Sequence, residues 1–231
     1  MLLDLYDIID LTHPLSPKAP TWNGSCGFCL SIKKDYDEMF RVQKITLHAG
    51  VGTHIDAPSH CVPGGIDVSK IPLTNLIAQA CVIDVSQKAH ADYVISAEDI
   101  FEYEKKQGRI PQKALVIGYT GWGRFWDFPD QYRNVDLQGQ MHFPAFAKEA
   151  VEILVSRDIV GIAIDTLSPD CLDLEYPVHQ TLLQKAKYII ENLANCEKVP
   201  PKGSYIIALP LCALDATEAP IRVIACIPKK T

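Results

Sequence analysis

Five short runs most constrain what this chain can fold into: AQACVIDVS (residues 78–86), KALVIGYT (113–120), IVGIAIDT (159–166), SYIIALP (204–210) and IRVIACI (221–227). Each is rich in Val and Ile, too short for a core helix, and closed by turn residues or charge. Runs of this length and composition read as strands buried on both faces. Helical patterns lie between some of them. SAEDIFEYEKKQGRI (96–110) opens with a capping box, Ser96 with Asp99, and stops at Gly108. FPAFAKEAVEILVSRD (143–158) places Pro144 near a helix start and spaces its apolar residues at helical intervals. HQTLLQKAKYIIENLAN (179–195) reads as a third helix. Strands interleaved with helices, preceded by hairpin-like material, predict an α/β (α+β) fold with a mixed β-sheet and flanking helices. No Pro- or Gly-rich stretch has the character of a domain boundary, so residues 1–231 are expected to form one domain.

The chain is long enough for a substantial core, and 48% of its 231 residues are hydrophobic, which excludes a disordered composition. A formal net charge of -6 offers no electrostatic footprint for nucleic acid or for an anionic membrane. The opening MLLDLYDIIDLTHPL has two acids before Ile8 and no basic region, so it does not read as a signal peptide. No apolar run is long enough to span a bilayer, and a soluble cytoplasmic protein is expected. Eight scattered cysteines without a secretory signal read as reduced thiols. Cys26 and Cys29 form a lone C-x-x-C with no second pair at zinc-site spacing, and are read as small residues of a glycine-rich loop. Cys81 and Cys226 read as core residues.

The chemistry concentrates in LHAGVGTHIDAPSH (47–60), which holds three histidines and an aspartate among Gly, Ala and Pro. On an extended strand alternate residues share a face, so His54 and Asp56 point one way and Ile55 the other. Pro58 turns the chain and lets His60 swing back toward the same place. Imidazole with carboxylate is the ligand set of hydrolytic zinc or manganese sites. His48 has the same parity as His54 but lies about 20 Å away on a straight strand at ~3.3 Å per residue. Ligands of one ion lie within roughly 4–5 Å of each other. His48 therefore joins the site only if Gly50 and Gly52 fold the backbone sharply.

GTHIDAPSH resembles the H-x-G-T-H-x-D-x-P-x-H signature of the cyclase family of metal-dependent hydrolases, which includes bacterial kynurenine formamidase and isatin hydrolase. PTWNG (20–24) is similar to that family's P-x-W-x-G loop, and GIAIDTLSPD (161–170) to its G-x-D-T-x-S-x-D strand and turn. YPVHQTLLQKAKYIIENLAN (176–195) resembles its late segment, with His179 followed twelve residues later by Glu191.

The resemblance implies a swivelling β/β/α fold and one or two divalent ions, zinc or manganese, per chain. His54, Asp56, His179 and Glu191 match metal ligands, with the two carboxylates able to bridge. His60 matches the general acid/base, and Trp22 an aromatic residue lining the substrate pocket. It further implies hydrolysis of a C–N amide bond in a small, aromatic substrate such as N-formylkynurenine, and a homodimer or homotetramer. The signature's first histidine falls at Gly50, which has no side chain to donate, and Ser25 stands where the family's W-x-G-D loop carries its acid. At Gly50 three outcomes are open: His48 substitutes through an altered backbone, another group or water takes the place, or one metal subsite is weak or absent. That last outcome motivates an alternative function, a non-catalytic binding or regulatory protein. A closed structural metal site fits two carboxylates poorly.

Other residues carry less. Glu191 considered alone is a helix-surface carboxylate one turn from Lys187, and only its spacing from His179 places it in the site, within the third helix. Asp165 is expected to support a turn with Thr166 and Ser168, and His13 to anchor a loop. His90 and His142 have no acidic neighbour in a useful register. Trp122 and Trp126 either line the pocket or pack a loop onto the core. Cys61 follows His60 directly, but adjacent residues on an extended segment point apart, which disfavours a Cys–His nucleophile pair.

Overall fold

The computed structural model describes residues 2–171 and 175–229. In chain order the elements are α1 (Leu2–Leu5), β1 (Tyr6–Asp10), β2 (Phe28–Lys34), β3 (Val42–Leu47), β4 (His54–Asp56), β5 (Ile77–Asp84), β6 (Val94–Ile95), α2 (Ala97–Gln107), β7 (Leu115–Tyr119), α3 (Pro129–Arg133), β8 (Ala145–Phe146), α4 (Lys148–Ser156), β9 (Gly161–Ile164), α5 (Pro177–Leu183), β10 (Tyr188–Glu191), β11 (Lys202–Pro210) and β12 (Glu218–Pro228). All five Val/Ile-rich runs are strands: β5, β7, β9, β11 and β12. They lie in one mixed sheet of order β1-β12-β11-β5-β7-β9-β10-β4. β5, β7, β9 and β10 run parallel, and the rest join antiparallel. A further pairing of β12 with β4 closes the sheet into a barrel-like ring. The result is a mixed α/β single domain. Among the described residues no helix is long and apolar enough to cross a membrane.

Strand parity sorts side chains onto two faces. Leu115, Ile117, Ala163, Tyr188, Ile190, Ile55 and Ala219 enter the inner core with Ile206 and Val223. Val116, Ile162, Ile164 and Ile189 point outward, against Ile100 of α2, Leu154 of α4 and Leu182 of α5. His54, Asp56, Glu191 and Glu218 flank the inward residues Ile55, Ile190 and Ala219, so all four share the outer face.

The capping box of α2 is present as read, with Ser96 and Asp99 bonding reciprocally and Gly108 ending the helix. Two helical readings need correction. α4 begins only at Lys148, because Ala145 and Phe146, just after Pro144, pair with β6 as β8. The third helix is shorter than predicted: α5 stops at Leu183, Ala186 turns the chain with φ 54°, and Tyr188–Glu191 is strand β10. Tyr188, Ile189 and Ile190 are β-formers, and each pairs with β9 and buries a side chain, which a helix continuing into solvent would not do. Glu191 is therefore a strand residue.

Candidate active site

β4 is only three residues long, yet it lies between two other strands. Glu191 of β10 stands directly across from His54, and Glu218 of β12 directly across from Asp56. Gly52, with φ 68°, turns the chain into β4. Its carbonyl accepts the His54 Nδ1–H at 2.8 Å, so His54 Nε2 faces the carboxylates. That nitrogen lies 3.5 Å from Asp56 Oδ1 and 3.3 Å from Glu191 Oε2.

His179 is presented in the same way from α5. Asp170 accepts its Nδ1–H at 2.7 Å, together with the backbone N–H groups of Val178 and His179 at 3.0 Å each. One carboxylate thus caps the helix entry and orients the ring. His179 Nε2 then lies 3.6 Å from Asp56 Oδ2 and 3.5 Å from Glu191 Oε1. Two donor groups result, His54–Asp56–Glu218 and Asp56–His179–Glu191, each with ligand atoms within 4.8 Å of one another and with Asp56 common to both.

The electrostatics of this cluster call for a cation. Burial opposes charge on His54, but Asp56 and Glu191 override it and raise the imidazole's pKa; burial is likewise overridden at His179 by Asp170, Asp56 and Glu191. Burial and the neighbouring Asp56 charge raise Glu191, whereas at Asp56 the histidines outweigh burial and lower it. Asp56 Oδ1 is buried and has no hydrogen-bond partner. Carboxylates that compete for protons, an orphaned buried oxygen and two anchored imidazoles form a donor set that fits a divalent ion.

The cluster floors a cavity of about 330 Å³. His60 reaches it from the short 3-10 turn after β4, its Nδ1 3.5 Å from Glu218 Oε2 and its ring 5.9 Å from that of His179. Trp22 and Tyr176 form an aromatic wall, their ring centroids 6.1 Å apart, with Leu167 beside them. Trp22 is 40% exposed and its carbonyl is held by Arg133 Nη2 at 3.0 Å. All six residues singled out for the site, Trp22, His54, Asp56, His60, His179 and Glu191, line this one cavity.

Other readings resolve individually. His48 is exposed and outside the cavity lining, so it does not replace Gly50. The Asp165 carboxylate does not brace its own turn with Thr166 and Ser168; it accepts the N–H and Oγ1–H of Thr120, just after β7. His13 anchors its loop by stacking on Trp126 at 4.0 Å. Trp122 and Trp126 are buried in a separate apolar cluster rather than in the pocket. His142 does acquire acidic neighbours, Asp92 and Asp136, brought to it by the fold. Cys61 lines the cavity, but burial raises its thiol and keeps it protonated, a poor nucleophile. Sequence reading missed Glu218, Asp170 and Tyr176. Asp170 is the last residue of the strand-and-turn motif GIAIDTLSPD and could have been flagged from that place. Glu218 carries no local signal.

A closed mixed sheet presenting imidazoles and shared carboxylates beneath an aromatic wall is a scaffold suited to metal-assisted hydrolysis. The chain belongs to the Cyclase family, whose sequence model matches residues 9–171. It is similar to isatin hydrolase of Roseibium aggregatum, with 29% identity over 96% of this chain and 92% of that one. It is also similar to kynurenine formamidase of Bacillus cytotoxicus, with 28% identity over 94% and 95%. A crystal structure of an isatin hydrolase bound to the product analogue thioisatinate superposes with a TM-score of 0.91 at 27% identity, covering 99% of this chain and 95% of that one.

Proposed function

We propose that this protein is a metal-dependent hydrolase that cleaves a non-peptide C–N amide bond in a small aromatic substrate, of the kind represented by N-formylkynurenine or the cyclic amide isatin. The observation that carries the reading is the pair of buried histidine–carboxylate groups sharing Asp56 on the floor of an aromatic-walled cavity. His54, Asp56, His179 and Glu191 would hold the divalent ions, zinc or manganese. A divalent ion there supplies a lowered pKa for water and polarisation of the scissile carbonyl.

The chain's own residues do the rest. Trp22 and Tyr176 stack against the substrate ring and exclude water from one side. His60 takes the proton from the attacking water and delivers it to the leaving nitrogen. Asp170 and the Gly52 carbonyl fix the two ligand rings so that each presents Nε2. The binding-only alternative has no support: every group matched in the sequence is assembled in one cavity.

We also propose a homodimer or homotetramer. The β2–β3 hairpin leaves Leu30, Ile32 and Ile45 exposed, with Leu30 directly opposite Ile45, and a lone two-stranded hairpin is marginal without a partner.

The activity is tested on a panel of N-formyl anilines, isatin and other cyclic amides, and matched esters, with ion-loaded and chelated protein. Hydrolysis of aromatic amides that vanishes on chelation and returns on reloading is the expected result. Turnover of none of the amides by loaded protein overturns the reading.

A further inference from the structure

Gly50 is not required by its backbone. It is not among the glycines with positive φ. Its place beside the site is taken by a neighbour instead: a Cβ at this position would lie 2.3 Å from Glu218 Oε1 and 3.3 Å from His54 Nε2, so a side chain here would have to displace the Glu218 carboxylate. The volume beside His54 that a side chain at residue 50 would occupy is filled by the carboxylate of Glu218, arriving from β12. We propose that Glu218 is a metal ligand of the His54 subsite and supplies the donor that Gly50 lacks, a carboxylate in place of an imidazole. The inference deepens the hydrolase reading above and rests on it.

Three observations converge. First, Glu218 is directly cross-strand from Asp56, and like charges in that position repel unless a cation lies between them. Second, Asp56 Oδ1, in a side chain only 2% exposed, has no hydrogen-bond partner although it faces this group. Third, the ligand atoms of His54, Asp56 and Glu218 lie within 4.8 Å of one another, which is the spread one ion requires. Glu218 also faces His60 Nδ1 at 3.5 Å, so the competing role is to position His60 alone. The chemical consequence separates the two. One imidazole with carboxylates is a harder donor set than two imidazoles with one carboxylate, and it favours manganese over zinc.

The test counts ions and measures their affinities, which does not depend on turnover. Wild type, Glu218→Gln, Glu218→Ala and the double variant Gly50→His/Glu218→Ala are loaded with manganese or zinc and analysed by elemental mass spectrometry and chelator competition. Wild type is expected to hold about two ions per chain, and both single variants about one, or a second ion weakened roughly 10–100-fold or more. The ion retained in the His179 subsite reports that the single variants are folded. The double variant is expected to regain the second ion with its preference moved toward zinc. Two ions at wild-type affinity in both single variants overturn the assignment and leave the hydrolase reading standing. No ion in wild type overturns that reading and this inference together.

Discussion

His60 and His13 show how environment divides histidines between chemistry and structure. His60 stands at the cavity wall on a 3-10 turn, its ring 5.9 Å from that of His179 and its Nδ1 3.5 Å from Glu218. His60→Ala is expected to lower turnover by about 10²–10⁴-fold while ion content stays at the wild-type level; elemental analysis beside steady-state kinetics checks both halves, and retained activity contradicts the assigned role. His13 lies in the opposite situation. Burial pulls its pKa from 6.5 to about 4, and its ring stacks on Trp126. The folded chain therefore refuses a proton that the unfolded chain accepts. Its effect on stability is absent above pH 6.5 and grows as a loss as the pH falls toward 4. His13→Phe keeps an aromatic stack without the titration, so thermal melts should show a shallower decline in melting temperature across that window. Identical slopes in the two proteins would refute the assignment. His60 was legible from its motif and His13 as a loop anchor, but the burial that depresses His13 was not, because Trp126 meets it only in the fold.

At the scale of elements, α5 and β10 carry the lesson about what local pattern conveys. The α2 helix was legible to the residue, because the Ser96–Asp99 box and Gly108 are local signals that act on neighbouring backbone. The segment after His179 was not. Its apolar spacing suits a helix, but pairing of Tyr188–Ile190 with β9 decides the outcome, and that partner is distant in sequence. Glu191 lines the same cavity as His179, as its spacing from His179 implied, but it does so from a strand and not from a helix. Asp170 joins the two levels, since it caps the entry of α5 and holds His179 Nδ1 with the same carboxylate. Asp170→Asn is expected to weaken the ion shared by Asp56, His179 and Glu191 by about 10–100-fold, measured by chelator competition. The sheet signal should persist in circular dichroism, because β9 and β10 do not depend on that side chain. Unchanged ion affinity would show that the ring needs no such anchor.

At the scale of the molecule, the site exists because the sheet closes. β4 brings His54 and Asp56, β10 brings Glu191, and β12, near the other end of the chain, returns to place Glu218 beside Asp56. Five of the sheet's eight strands were readable from Val/Ile runs, whereas β10 was read as helix. Their order, and so the meeting of residues 50 and 218, was not, because no short pattern encodes which strand edges join. Gathering Asp56, Glu191 and Glu218 at one point costs stability through mutual repulsion, and a bound cation offsets it. Loading the chelated protein with ion at roughly 100 times its dissociation constant should therefore raise the melting temperature by roughly 5–10 °C. A melting temperature indifferent to chelation would mean that the carboxylates are held apart by other means. The most direct test of the central claim is the number of divalent ions bound per chain, by elemental mass spectrometry after equilibration with buffered manganese or zinc. The account predicts about two, one for each donor group that shares Asp56. About one ion or fewer per chain at saturating concentrations would contradict it.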